Sequence, residues 1–166
     1  MTQAFIGVGS NIDKEKSIRT GVARLRERFG RLLISTVYES PAYGFEGDNF
    51  YNLIVALDTD MDPLALSGEL HAIEESLGRK RDEPRYSPRI LDLDLLLYGD
   101  LICHGEGLDI PRGDIRKFSF VLKPLAEIAG GMRHPETGAT FEEMWRAFDQ
   151  AEQNLWPVEL PGLYDS

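Results

Sequence analysis

Apolar and polar positions along the chain change rhythm several times, and each change marks an element. Ala4 to Gly9 is a short apolar run closed by Gly9-Ser10-Asn11, which predicts a buried strand. Asp13 is placed to cap a helix. Ile18, Val22, Leu25 and Phe29 then recur at helical spacing until Gly30 stops them. Leu32 to Tyr38 is apolar and β-branched and reads as a strand, whereas Ser40 to Asn49 carries Pro41, Gly44 and Gly47 and reads as a loop. Phe50 to Thr59 is a second long strand. Pro63 stands in the first turn of a helix marked by Leu64, Leu66, Leu70, Ile73 and Leu77 and ended by Gly78.

Arg79 to Arg89 is a polar, proline-containing loop, followed by a strand over Ile90 to Leu97 and a turn at Tyr98-Gly99-Asp100. A short strand is expected within Leu101 to Ile110. Phe118 to Ile128 predicts a helix that Pro124 bends or shortens. Gly130-Gly131 breaks the chain, Ala139 to Phe148 gives one more short helix, and Trp156 to Ser166 reads as an irregular tail. The order is strand, helix, strand, strand, helix, strand, then mostly helix. Two βαβ units in a split arrangement give an α+β sandwich of the ferredoxin-like kind, with a mostly antiparallel sheet. Helices should cover one sheet face, and loops and later segments the other.

Composition narrows the classes of function. A chain of 166 residues with 42% hydrophobic and 28% charged residues suits one domain with a core of its own. The expected division is a single domain over residues 1–150 and a tail over 151–166. The net charge of −10 argues against general nucleic-acid binding and against docking on anionic membranes. No apolar run approaches the roughly 20 residues of a spanning helix. The N-terminus lacks a basic segment followed by an apolar one, and Cys103 is the single cysteine. A cytoplasmic protein is the expectation.

Asp92-Leu93-Asp94 lies inside an apolar run. On a strand, both aspartates share one face and Leu91, Leu93 and Leu95 the other. Two carboxylates side by side repel and lose solvation, and a divalent cation such as Mg²⁺ relieves both. A lone Asp-x-Asp is more often a solvated pair. Here, however, the preceding loop carries Arg79, Lys80, Arg81, Arg85 and Arg89 in an otherwise acidic chain. A basic loop can simply be solvated, but beside paired carboxylates it is the equipment of phosphoryl transfer. A P-loop sequence is absent. Ser40-Pro41-Ala42-Tyr43-Gly44, with Phe50 and Asn52 after it, can sandwich a flat ring, the Asn52 amide offering donors and an acceptor. Taken singly, Phe50, Tyr86 and Phe120 are packing residues and Asn52 a strand-edge polar residue.

These motifs together resemble the 6-hydroxymethyl-7,8-dihydropterin pyrophosphokinase family of folate synthesis. Phe5-Ile6-Gly7-Val8-Gly9-Ser10-Asn11 is similar to its opening strand, and Tyr38-Glu39-Ser40-Pro41 with Gly44 and Phe50-Tyr51-Asn52 to its pterin loop and strand. Ile73-Glu74 with Gly78-Arg79 resembles the end of its second helix. Pro88 to Gly99, with Asp92-Leu93-Asp94 at its centre, is similar to its most diagnostic motif. Phe120 to Ala129 and His134-Pro135 continue the resemblance, which runs in order from about Phe5 to Thr140.

The resemblance implies transfer of pyrophosphate from ATP to the pterin alcohol, with AMP released. By the same token, Asp92 and Asp94 match ligands of two Mg²⁺ ions, and Arg79 and Arg89 match loop arginines that assist transfer. Ser40, Tyr43, Phe50, Asn52, Tyr86 and Phe120 match pterin-site positions, Tyr86 in place of the usual tryptophan. Glu74 and Arg81 match nucleotide-side positions. The chain departs from the family at Arg112, where histidine is usual after the proline, at Phe118, where arginine is usual, and at Ser87 in the loop. Arg112, Arg116 and Lys117 keep positive charge near the nucleotide side. The expected ligands are the pterin and ATP, the expected state is a monomer, and other folate enzymes are candidate contacts. The departures motivate two rival expectations: a diverged pterin-binding paralogue with little transfer, or a related transferase with an altered donor or acceptor.

Overall fold

The period of two in β1 (Thr2–Ser10) organises the molecule. In the computed structural model, which describes residues 1–78, 90–149 and 154–164, β1 is the second strand of the main sheet. It pairs antiparallel on one side with β4 (Phe50–Thr59), from Thr2↔Thr59 to Ser10↔Tyr51. On the other side it pairs with β5 (Asp92–Tyr98), with Gly7 opposite Asp94 and Gly9 opposite Asp92. Beyond β4 come β3 (Val37–Ser40) and β8 (Trp156–Val158), giving the order β5-β1-β4-β3-β8, with the short β2 (Leu33–Ile34) also on β4. Every pairing is antiparallel, as the split βαβ reading requires.

Ala4, Ile6 and Val8 point to one face and join Leu53, Val55, Leu93 and Leu95 in one core cluster. Two helices close that face: α1 (Lys14–Phe29), through Ile18, Val22 and Leu25, and α2 (Pro63–Ser76), through Leu66, Leu70 and Ile73. Phe5 points the opposite way, with Ile54, Ala56, Leu96 and Leu97. That face is covered by α3 (Asp114–Lys117), α4 (Ser119–Ala129) and α5 (Phe141–Ala147), which contribute Ile115, Leu122, Leu125 and Phe141. The covering layers therefore match the sequence reading.

Local chemistry explains where the elements differ from that reading. The strand expected over Leu32 to Tyr38 is divided at Ser35, whose hydroxyl accepts from the Ile54 N–H (2.8 Å) and donates to the Thr36 carbonyl (2.9 Å). A side chain that replaces the ladder partner interrupts the strand. Asp13 does stand at the start of α1, but its backbone is left-handed (φ 45°) and its side chain makes no capping bond. Asp62 caps α2 as Asp usually does, accepting from the Ala65 N–H at 3.0 Å ahead of Pro63. Leu101 to Ile110 holds two short strands, β6 (Cys103–Gly105) and β7 (Leu108–Ile110), paired as a separate hairpin. Pro124 is carried inside α4 without ending it. The tail is not wholly irregular. Val158, Pro157 and Trp156 pair with Val37, Tyr38 and Glu39, because β3 otherwise exposes an unpaired edge.

Candidate functional site

Beyond Phe5, the next two residues of β1 on the same face are Gly7 and Gly9. The middle strand therefore has no side chains there, and its neighbours face one another across a bare floor. Asp94 and Ile54 flank Gly7, and Asp92 and Asn52 flank Gly9. The result is a cavity of about 560 Å³ on the face that carries α4. Gly9 gives Asn52 its room: a Cβ there would lie 2.7 Å from the Asn52 Oδ1 and would shift that side chain.

One end of the cavity is aromatic. Ser40 and Phe50 are cross-strand partners at its wall, and Tyr38 and Asn52 are the next pair on that face. Tyr43 meets Phe118 edge-on at 4.8 Å, and Phe118 stacks on Phe120 at 4.8 Å with 19° between the rings. Phe45 stands edge-on to Phe50 at 6.1 Å. Such faces hold a flat ring by its π-surface. The Ser40 hydroxyl is buried with no hydrogen-bond partner among the described residues, which leaves it available to a ligand.

The other end is charged. Asp92, Asp94, Asp109 and Asp114 line it together with Arg112. The Arg112 backbone N–H donates to the Leu96 carbonyl of β5 (3.0 Å), which fixes the residue beside the aspartates, and its guanidinium lies 3.7 Å from Asp114. Burial pulls the Arg112 pKa down, but Asp94, Asp114, Asp109 and Asp92 outweigh it and hold the pKa above its ordinary value. Its Nε is buried without a partner among the described residues. A second cavity of about 260 Å³ opens from this end between α2, β5 and β7. Ser67, Leu95 and Leu108 line it, and it shares His71, Asp94, Asp109 and Arg112 with the first.

Of the residues singled out from sequence, Ser40, Tyr43, Phe50, Asn52, Phe120, Asp92, Asp94 and Arg112 all line the main cavity. Glu74 does not. It is buried beneath β5, where its carboxylate accepts from the Leu93 N–H at 2.7 Å, between the two aspartates. Arg116 and Lys117 are exposed and outside the cavity lining, and the Lys117 ammonium sits over the Tyr43 and Phe118 rings at 5.4 and 5.0 Å. Phe118 belongs to the core cluster and also lines the cavity. Arg79, Arg81, Tyr86 and Arg89 lie outside the described residues.

Sequence reasoning missed His71, Phe45, Asp109 and Asp114 as cavity residues. Two signals were available. His71 lies one helical turn before Glu74, and Asp109 and Asp114 bracket Arg112. Gly7 and Gly9 were also readable as a floor, because they alternate with Val8 on a strand.

Fold and site together define a ferredoxin-like α+β protein whose cavity joins an aromatic slot to a carboxylate-and-guanidinium end. A family model described as 7,8-dihydro-6-hydroxymethylpterin-pyrophosphokinase (HPPK) matches residues 5–130, and the chain belongs to that family. It is 35% identical over 137 residues to the 2-amino-4-hydroxy-6-hydroxymethyldihydropteridine pyrophosphokinase of Aquifex aeolicus, covering 81% of this chain and 85% of that protein. The enzyme of the same name from Methylorubrum extorquens is 40% identical over 133 residues, covering 78% and 84%. The folic acid synthesis protein of Pneumocystis carinii is 35% identical over 96% of this chain, which spans only 22% of that longer protein. A crystal structure of wild-type Plasmodium falciparum HPPK-DHPS shares the fold, with a TM-score of 0.68 at 16% identity over 88% of this chain and 41% of that one.

Proposed function

We propose that this protein transfers the pyrophosphoryl group of ATP to the hydroxymethyl group of 6-hydroxymethyl-7,8-dihydropterin in folate biosynthesis, releasing AMP. The observation that carries this reading is the joined cavity, in which a ring-binding slot opens directly onto Asp92, Asp94 and Arg112. Membership of the pyrophosphokinase family supports it, as do relatives named for this activity that match over 85% and 84% of their own lengths.

In this reading the pterin lies in the aromatic slot. Phe50, Phe120 and Tyr43 supply faces, and Phe118 adds one where the family has arginine. Asn52 and the Ser40 hydroxyl address the polar ring edge. Tyr86 is assigned to the same pocket. The nucleoside takes the second cavity between α2 and β7, which places its phosphates at Arg112 and the aspartates.

The donor set fits Mg²⁺. Among the described residues no group of three or more His, Cys, Asp or Glu side chains is arranged to hold a metal unaided. A pair of carboxylates completed by substrate phosphates is the usual Mg²⁺ arrangement. Asp92 and Asp94 would hold it, as two ions in the family's pattern, and when bound it supplies Lewis-acid charge neutralisation and acidifies the hydroxyl. The hydroxymethyl oxygen attacks the β-phosphorus, the bond from that phosphorus to the oxygen bridging the α-phosphate breaks, AMP leaves, and the hydroxyl proton passes to solvent. Arg112 meets the phosphates from the buried side. We assign Arg79 and Arg89 to charge on the transferred group and Arg81 to the nucleotide. Arg116 and Lys117 contribute positive potential from outside the lining. Glu74 acts on the nucleotide side by holding β5 between Asp92 and Asp94. The assigned state is a monomer working in the cytoplasm. Among the described residues no helix is long and apolar enough to cross a membrane.

The test is AMP formation by the purified protein with Mg-ATP and the pterin alcohol, followed by chromatography. Stoichiometric AMP and pterin diphosphate are expected. Pterin binding without AMP would replace this reading with that of a binding-only paralogue.

A further inference from the structure

The pterin slot is built from a segment, residues 41–49, whose two ends are the cross-strand partners Ser40 and Phe50. On the opposite face of β3, between them and the sheet edge, Glu39 gathers donors from three other parts of the chain. The Lys14 ammonium of α1 reaches its Oε2 at 3.3 Å, and so does the Asn49 amide at 3.3 Å, while the Trp156 indole N–H of β8 reaches its Oε1 at 3.2 Å. Lys14 also donates to the Asn49 carbonyl at 3.2 Å and lies over the Tyr51 ring at 4.9 Å. Burial pushes the Glu39 pKa up, but the bonds from Asn49, Lys14 and Trp156 outweigh it, so the carboxylate stays charged below its ordinary range.

This arrangement does more than close a sheet edge. Asn49 is the last residue of the segment and Ser40 adjoins its first, so one carboxylate ties both ends of the slot wall to α1 and to β8. The Asn11 amide adds a further tie to the segment, donating to the Asp48 carbonyl at 3.2 Å. None of Glu39, Lys14, Asn49 or Trp156 lines the cavity. We infer that Glu39 is a positioning residue for the pterin slot, and that the C-terminal strand β8, through Trp156, is part of the support that sets the shape of the wall carrying Ser40, Tyr43 and Phe45. The inference deepens the proposed function and rests on it for the identity of the ligand, but not for the bracing itself. Preorganising a loop lowers the cost of ordering it when ligand arrives, so loss of the brace should appear in pterin binding and not in the nucleotide step.

Two variants test this without removing the sheet pairing. Glu39→Gln keeps the side-chain size and removes the charge, and Trp156→Phe keeps a smaller aromatic ring and removes the indole N–H. Hydrogen–deuterium exchange over residues 42–49 should rise about tenfold in Glu39→Gln and less in Trp156→Phe, as expected for losing bonds to a charged acceptor. Exchange in β1 and α2 should stay unchanged. KM for the pterin should rise about tenfold in Glu39→Gln, with KM for ATP and kcat within about twofold of wild type. Glu39→Asp should recover part of both losses. Unchanged exchange over 42–49 in both variants overturns the inference whatever the activity. A parallel rise in both KM values with a general increase in exchange also overturns it, because Glu39 would then serve only the fold. If the wild type makes no AMP while exchange over 42–49 still responds, the proposed reaction fails and the brace stands.

Discussion

The two faces of the central sheet are built from the same strands and do opposite work. Toward α1 and α2, β1 presents Ala4, Ile6 and Val8, and its neighbours present Leu53, Val55, Leu93 and Leu95, all buried. Toward α4, the same strand presents Phe5 and then Gly7 and Gly9, and the neighbours present Asn52, Asp92 and Asp94. The first face is closely packed under β1 and β4 and opens only at the β5 edge, where the second cavity lies. The second is packed at one end and left open at the other. A period of two lets one strand serve both, since neighbouring residues look into different environments. Leu93 therefore stabilises the protein from between two residues that line its cavity, and Glu74 secures that strand by taking the Leu93 N–H.

The sharpest test of this contrast is at the carboxylates. Asp92→Ala or Asp94→Ala should lower turnover by about a thousandfold, as removal of a central electrostatic contact does, and chelation of Mg²⁺ should do the same in wild type. The melting temperature should barely move in Asp92→Ala and fall modestly in Asp94→Ala, because Asp94 is the foremost charge opposite buried Arg112. A variant that loses its fold instead would erase the distinction between the faces.

The complementary change is Leu93→Ala, one position away on the packed face. It should cost about 3 kcal/mol of stability by denaturant melts, through lost burial and a residual cavity. At a temperature where the variant is folded, its KM for the pterin should lie near wild type, whereas its KM for ATP should rise, because Leu93 also lines the second cavity.

A smaller effect is expected on the open face. In Gly9→Ala the new Cβ must displace the Asn52 side chain, 2.7 Å away, and overpacking of this kind costs about 1–2 kcal/mol. Calorimetry should show that cost as roughly tenfold weaker pterin binding. Wild-type affinity in Gly9→Ala would mean that Asn52 does not contact the ring.

The smallest effect lies off the sheet, on the β6–β7 hairpin. His104 Nδ1 is 2.6 Å from Asp109 and its Nε2 is 3.1 Å from Glu136, and these bonds, Asp109's foremost, raise its pKa. A raised histidine stabilises the fold fully below its unfolded pKa of about 6.5 and loses that contribution as pH climbs through the folded value. Melting temperatures measured from pH 6 to 8.5 should therefore fall more in wild type than in His104→Gln. Because Asp109 also lines the charged end of the cavity, the KM for ATP should follow the same titration weakly.

Much of this is legible in the residues. The alternation of Asp92, Leu93 and Asp94 is enough to place both carboxylates on one face, and the helical spacings of Ile18 to Phe29 and Leu64 to Leu77 place the helices. Ser40, Phe50 and Asn52 are legible as a group because they lie on or beside strands with fixed alternation. Arg116 and Lys117 are harder to place. A four-residue helix such as α3 gives too short a period to tell which side chains turn inward. Of Arg112, Arg116 and Lys117, the one that lines the cavity is Arg112, which lies before the helix and is held by the Leu96 carbonyl.

By itself, the sequence determined the long strands and helices, their faces and the pairing of chemistry with strand alternation, because these depend on neighbours two to four residues apart. The short elements β6, β7, α3 and β8 carry too few residues to show a period. Tertiary structure decided what depends on distant partners. It set Gly9 against Asn52, brought Asp109 and Asp114 around Arg112, divided a strand at Ser35 through the Ile54 N–H, and drew Trp156 to Glu39, 117 positions away. No local period encodes such contacts; they form because a sheet edge must find a partner, a buried charge must find its opposite, and the first segment to fit both is fixed by the fold.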